Sequence, residues 1–215
     1  MEDLWNLLKT FLLVLQFLAA IVGCFYFVKL KNSYWKWFAV YLVAIIIYEY
    51  SWTYLSTIND TAKYSLALII GLPLEFIFFY WLYALKSLKR KKLFILSSVA
   101  YIVLSGASAY FFDGPTAKSF SFNVGTLLLT ILVILEYSKQ IRNDDILKFR
   151  ENKMFYINLG VILFYVGSMP FVVFQKYLLP DFQQLVEYYF IYFLVSNCIM
   201  YLLFTASFIW GKEQS

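Results

Sequence analysis

Apolar positions along this chain neither alternate with polar ones nor follow a one-sided helical stripe. They form continuous runs of about 20 residues, the length a helix needs to cross a bilayer, separated by short polar connections. Seven runs can be drawn, at 5–28, 35–56, 64–85, 94–112, 119–138, 154–175 and 183–210. Strands of a membrane barrel would instead alternate over about ten residues. The pattern therefore predicts an all-α, polytopic membrane protein with seven transmembrane helices in a single bundle. The connections are too short for a soluble domain, so residues 1–215 are expected to form one transmembrane domain. The longest connection, "KQIRNDDILKFRENK" at 139–153, reads as a solvated connector or a short amphipathic helix.

Composition strengthens this reading. The chain is 62% hydrophobic and 14% charged, against about 25% charged in a typical soluble domain. Fourteen lysines and arginines fall in or beside the connections after the first, third and fifth runs and in the C-terminal tail; the other side has only Lys9, Lys63, Lys118 and Lys176. By the positive-inside rule the N-terminus lies outside and the C-terminus in the cytoplasm. The net charge of +5 thus reflects short cytoplasmic loops near anionic lipid, the expected partner, and points to no nucleic acid. "KSLKRKK" at 86–92, with 139–153, is the expected place for a protein partner.

The chain contains no histidine, which removes the commonest metal ligand and the commonest general base near neutral pH. Cys24 and Cys198 stand apart in separate spans, outside any metal or redox spacing. No glycine-rich phosphate loop is present. The sequence therefore implies no metal and no cofactor. "IVGC" at 21–24 resembles a lipoprotein cleavage box, but "MEDLW" is acidic where a signal peptide carries positive charge.

Candidate chemistry lies inside the spans. "IIIYEYSWTY" at 45–54 places Glu49 about 21 Å along the second span, in its outer half, with Thr53 one turn further on. "GLPLEFIFFYWLY" at 71–83 places Glu75 about 18 Å down the third span. An ionisable group facing lipid costs about 2.5–3.5 kcal/mol, so both carboxylates should face the protein interior. Pro73 and Pro170, the latter in "GSMP", remove helix hydrogen bonds and should kink their spans. Gln16, Ser105, Thr126, Thr130 and Ser168 offer further polar groups, read mainly as glue between helices. Asn197, with Tyr192 above it, completes the expected set: Glu49, Glu75, Asn197, Thr53 and Tyr192 lining one ligand- or proton-binding cavity.

No internal repeat supports a 3+1+3 transporter, since the third span has a proline and the seventh has none. "PLEFIFFYWLY", the basic third connection, and "SNCIMYLLFTASFIW" resemble a group of small seven-helix bacterial membrane proteins without an assigned role. That resemblance implies a multi-pass protein of the bacterial inner membrane and transfers no site residue. Three functions follow as expectations. The first is a receptor-like sensor or accessory protein with a polar ligand pocket, signalling through a separate partner. The second is a proton-coupled transporter using Glu75 or Glu49. The third is a lipid-modifying intramembrane enzyme, which lacks a nucleophile or metal beside the two carboxylates.

Overall fold

In the computed structural model, residues 2–143, 149–178 and 182–212 are described. Among them the chain is helical throughout, with no strand beyond an isolated bridge between Asn152 and Lys212. The helices are α1 (Glu2–Phe27), α2 (Lys36–Ser56), α3 (Asp60–Ser87), α4 (Lys91–Phe111) and α5 (Gly114–Arg142). They are followed by α6, made of Lys153–Val161 and Gly167–Leu178 joined by a π turn, and by α7 (Gln183–Ile209). Six of them are long and apolar enough to cross a membrane: α1 to α5 and α7. These six fit a multi-pass membrane protein. The expected span 154–175 falls on α6, where the side chains of residues 171 and 174–178 lie outside the described set. Residues 144–148, in the middle of the expected 139–153 connection, also lie outside it; the part before them is the end of α5, which runs on to Arg142.

Local chemistry explains the helix ends. Asn59 caps α3 by accepting from the backbone N–H of Ala62 at 3.1 Å, and Asn152 caps α6 by accepting from that of Met154 at 3.0 Å. Both satisfy N–H groups that the first turn leaves without an intrahelical partner. "DGPT" at 113–116 starts α5, with Pro115 at a position whose N–H would be unpaired in any case. Several hydroxyls inside the helices are satisfied by their own backbone: Ser51 donates to Ile47, Thr130 to Thr126 and Ser138 to Ile134, at 2.7–2.8 Å. In an apolar medium this is how a serine or threonine avoids an unpaired donor.

Pro73 and Pro170 each sit just after a π turn. Ala67–Gly71 precedes Pro73, and Ile162–Val166 precedes Pro170. A proline supplies no N–H, and the widened turn redistributes the carbonyls it leaves behind. A third π turn, Trp81–Ser87, ends α3.

The chain divides into two compact units, Met1–Leu42 with Gln140–Ser215, and Val43–Lys139. In the first, α7 packs against both α1 and α6. Gly160 lets the Met200 backbone approach, since a Cβ there would lie 3.3 Å from the Met200 Cα. The rings of Phe38, Phe204 and Phe208 fill the adjoining core, with centroids 5.1–5.5 Å apart. In the second unit, α3 and α5 run parallel in constant register: Gly114 meets Tyr64, Gly125 meets Phe76, and Ser87 bonds Glu136. Ser105 and Ser108 on α4 both reach Ser121 on α5, at 2.9 and 3.0 Å. These buried serines are the interhelical polar glue expected where helices pack without water.

Candidate functional site

The Val43–Lys139 unit holds both carboxylates singled out in the sequence. Glu49 on α2 and Glu75 on α3 are each half-buried, and both act electrostatically on Tyr48 and on Lys118. Their approach depends on Gly71, because any side chain there would overlap the ring of Tyr48. The π turn before Pro73 therefore ends at the residue that gives Tyr48 its place between the two helices.

Lys118 is the member that the sequence pattern hid. The apolar run starts at 119, so Lys118 reads as a loop cation. The helix instead begins at Gly114, which carries Lys118 one turn into α5 and leaves it half-buried. Its ammonium lies 3.9 Å from the centroid of the Trp52 ring, a close cation–π contact. The signal was present in "DGPT", since a proline marks a first helical turn. Lys118 supplies the countercharge that two carboxylates in a low-dielectric environment require.

Toward the end carrying Asn59, the cluster continues to the protein surface. Lys63 is paired with Asp60 at 2.6 Å and lies 5.5 Å from the Trp52 centroid and 4.9 Å from that of Tyr64. Trp52 and Tyr64 meet edge to face at 6.1 Å. Tyr64 also forms part of the wall of a cavity of about 460 Å³, with Asp60, Thr61, Ser65, Phe112 and Pro115. That volume is in the range that holds small ligands.

The remaining expected residues make the following local contacts. Thr53 is exposed and its hydroxyl donates to the Glu49 carbonyl at 2.9 Å. Tyr192 donates to the carbonyl of Leu163 at 2.7 Å, inside the π turn of α6. Gly167 makes room for that hydroxyl, which a side chain at 167 would displace. Tyr192 thus supplies a donor to the widened turn ahead of Pro170. Asn197 is half-buried with its amide oxygen unpartnered. Both belong to the unit of Met1–Leu42 with Gln140–Ser215, whereas Glu49, Glu75, Tyr48 and Lys118 belong to Val43–Lys139.

A second polar centre lies near the basic end of α3. Glu136 is 1% exposed. It accepts from the Ser87 hydroxyl at 2.6 Å, while Lys139 donates to the Ser87 carbonyl at 2.9 Å and lies 4.0 Å from the carboxylate. Tyr83, fully buried, is an electrostatic neighbour of Glu136. The sequence gives Glu136 little prominence because it sits near a span end, where a charged residue is unremarkable. Among the described residues no three acidic or thiol side chains converge as a metal site would need. Compared with known proteins, the chain matches no family model, no curated protein and no solved structure.

Proposed function

We propose that this is a receptor-like integral membrane protein, a sensor or accessory subunit, that binds a small polar ligand beside Glu49, Glu75 and Lys118. In this reading α6 completes seven transmembrane helices in one bundle, the N-terminus is outside, and the ligand pocket opens outward. The observation that carries it is the union of two carboxylates, a half-buried lysine and the Trp52–Tyr64 pair beside a cavity of about 460 Å³. Mixed charge with aromatic walls suits a small zwitterion or amine, which the carboxylates and rings would hold. The chain offers the basic segment 86–92 and the connection 139–153 to a separate partner, in a cell membrane of the bacterial inner-membrane kind.

The test is a thermal-shift screen of purified protein in mild detergent against amino acids, amines and short peptides. A binder raises the melting temperature of the wild type by mass action. The shift should vanish in Glu75→Gln and weaken in Glu49→Gln. A hit that stabilises all three proteins equally would place the ligand elsewhere, and no hit across these classes would remove the reading. Co-purification from native membranes tests the partner, whose retention should depend on 139–153.

A second reading, transport coupled to protons at Glu75 or Glu49, draws support from the π turn ahead of Pro73. Such a turn gives α3 a discrete point of rearrangement next to a carboxylate.

A further inference from the structure

Between the carboxylates of the two polar centres of the Val43–Lys139 unit lies a set of buried hydroxyls. Tyr80, Tyr83, Tyr101 and Thr126 are all 0% exposed. Tyr80 donates to the Gly125 carbonyl at 2.9 Å. The hydroxyls of Tyr83 and Thr126 meet no protein hydrogen-bond partner, nor does the amide oxygen of Asn123, while the Tyr101 hydroxyl has Ser105 beside it. A buried, unpaired polar group costs about 1–3 kcal/mol. Three of them within one small helical unit mark places where water normally completes the bonding.

Their positions follow a line. Tyr101 is an electrostatic neighbour of Glu75, and its ring centroid is 6.1 Å from that of Tyr80. Tyr80 reaches α5 at Gly125, next to Thr126. Tyr83, one turn further along α3, neighbours Glu136, and Ser87 one turn beyond that bonds it. From Glu75 to Ser87 the helix rises about 18 Å, more than half the thickness of a hydrocarbon core. On α5 the same stretch is closed by Leu129, Leu132 and Val133, all buried. Tyr83 is the hydroxyl that lies within this narrow apolar stretch.

We propose that this unit carries a proton path, in which Glu75 and Glu136 exchange protons through water held by the hydroxyls of Tyr101, Tyr80, Thr126 and Tyr83. The proton leaves the carboxylic acid of Glu75; each water or hydroxyl along the line accepts one proton and passes another on. The last proton lands on the carboxylate of Glu136. Glu75 is recharged from the side of Glu49, Tyr48 and Lys118. Glu136 is discharged past Ser87, Lys139 and Tyr137 at the basic end. No covalent bond other than O–H bonds forms or breaks, and no oxidant or reductant is needed. The path shares Glu75 with the proposed ligand site but needs no bound ligand.

The experiment uses purified full-length protein in liposomes that enclose a pH-sensitive dye. A potassium diffusion potential set with valinomycin drives protons inward. Wild-type vesicles should acidify faster than protein-free ones. Glu136→Gln should fall to the protein-free rate, and Tyr83→Phe, which keeps the ring and removes the hydroxyl, should fall with it. Tyr110→Phe, at an exposed position of α4, should leave the rate unchanged. If Glu136→Gln does not yield monodisperse protein, Tyr83→Phe decides alone. A wild-type rate equal to that of empty vesicles, or a wild-type rate in Tyr83→Phe, overturns the proposal. The ligand-induced thermal shift should survive in Tyr83→Phe, so the path and the pocket fail separately.

Discussion

Ser87, in the last turn of α3, donates a 2.6 Å hydrogen bond to Glu136 of α5, a carboxylate that is 1% exposed. This bond and the Lys139 contact hold a charged group that apolar surroundings would otherwise reject. Ser87→Ala should therefore lower stability by about 1.5–3 kcal/mol, the worth of a bond to a charged group. Ser87→Thr, which keeps the hydroxyl, should lose less. Thermal unfolding in detergent reads both, and an unchanged midpoint for Ser87→Ala would show that Glu136 does not rely on this bond.

Gly71 and Tyr48 test whether the carboxylate cluster depends on close approach. Gly71→Ala adds a methyl group that overlaps the Tyr48 ring and should cost about 1–3 kcal/mol by overpacking. In the background of Tyr48→Ala the same change should cost much less. A double-mutant cycle with no coupling between the two positions would contradict the packing described here.

Lys118 should be coupled to Glu49 and Glu75. Lys118→Met leaves two carboxylates facing each other without a cation and should destabilise the protein. Adding Glu49→Gln to Lys118→Met should recover part of that loss, with a coupling energy of about 0.5–3 kcal/mol. Additive losses would mean that Lys118 interacts with Trp52 and the helix end rather than with the carboxylates.

Tyr192 and Leu163 connect α7 to the π turn of α6. Tyr192→Phe removes the donor of a 2.7 Å bond and should cost about 0.5–1.5 kcal/mol. Hydrogen exchange should localise the effect, with faster exchange in Ile162–Val166 than in α1. Uniform acceleration across the chain would assign Tyr192 a general packing role instead.

The sequence by itself determined that this chain is a set of long apolar helices, because continuous runs of about 20 apolar residues have one stable form in lipid. It also marked Glu49, Glu75, Pro73 and Pro170, since charge and missing N–H groups are costly in a membrane wherever they occur. Residue type alone carries those costs. What the sequence could not determine was company. Lys118 reads as a loop cation until the start of α5 at Gly114 brings it into the helix. Glu136 becomes a polar centre only when the parallel register of α3 and α5 sets Ser87 beside it. Asn197 and Tyr192, placed with the glutamates by depth alone, belong to the other unit. Depth along a helix follows from counting residues at 1.5 Å each. Which faces meet depends on the π turns and close-packed glycines, whose effect is steric and appears only between helices far apart in the chain.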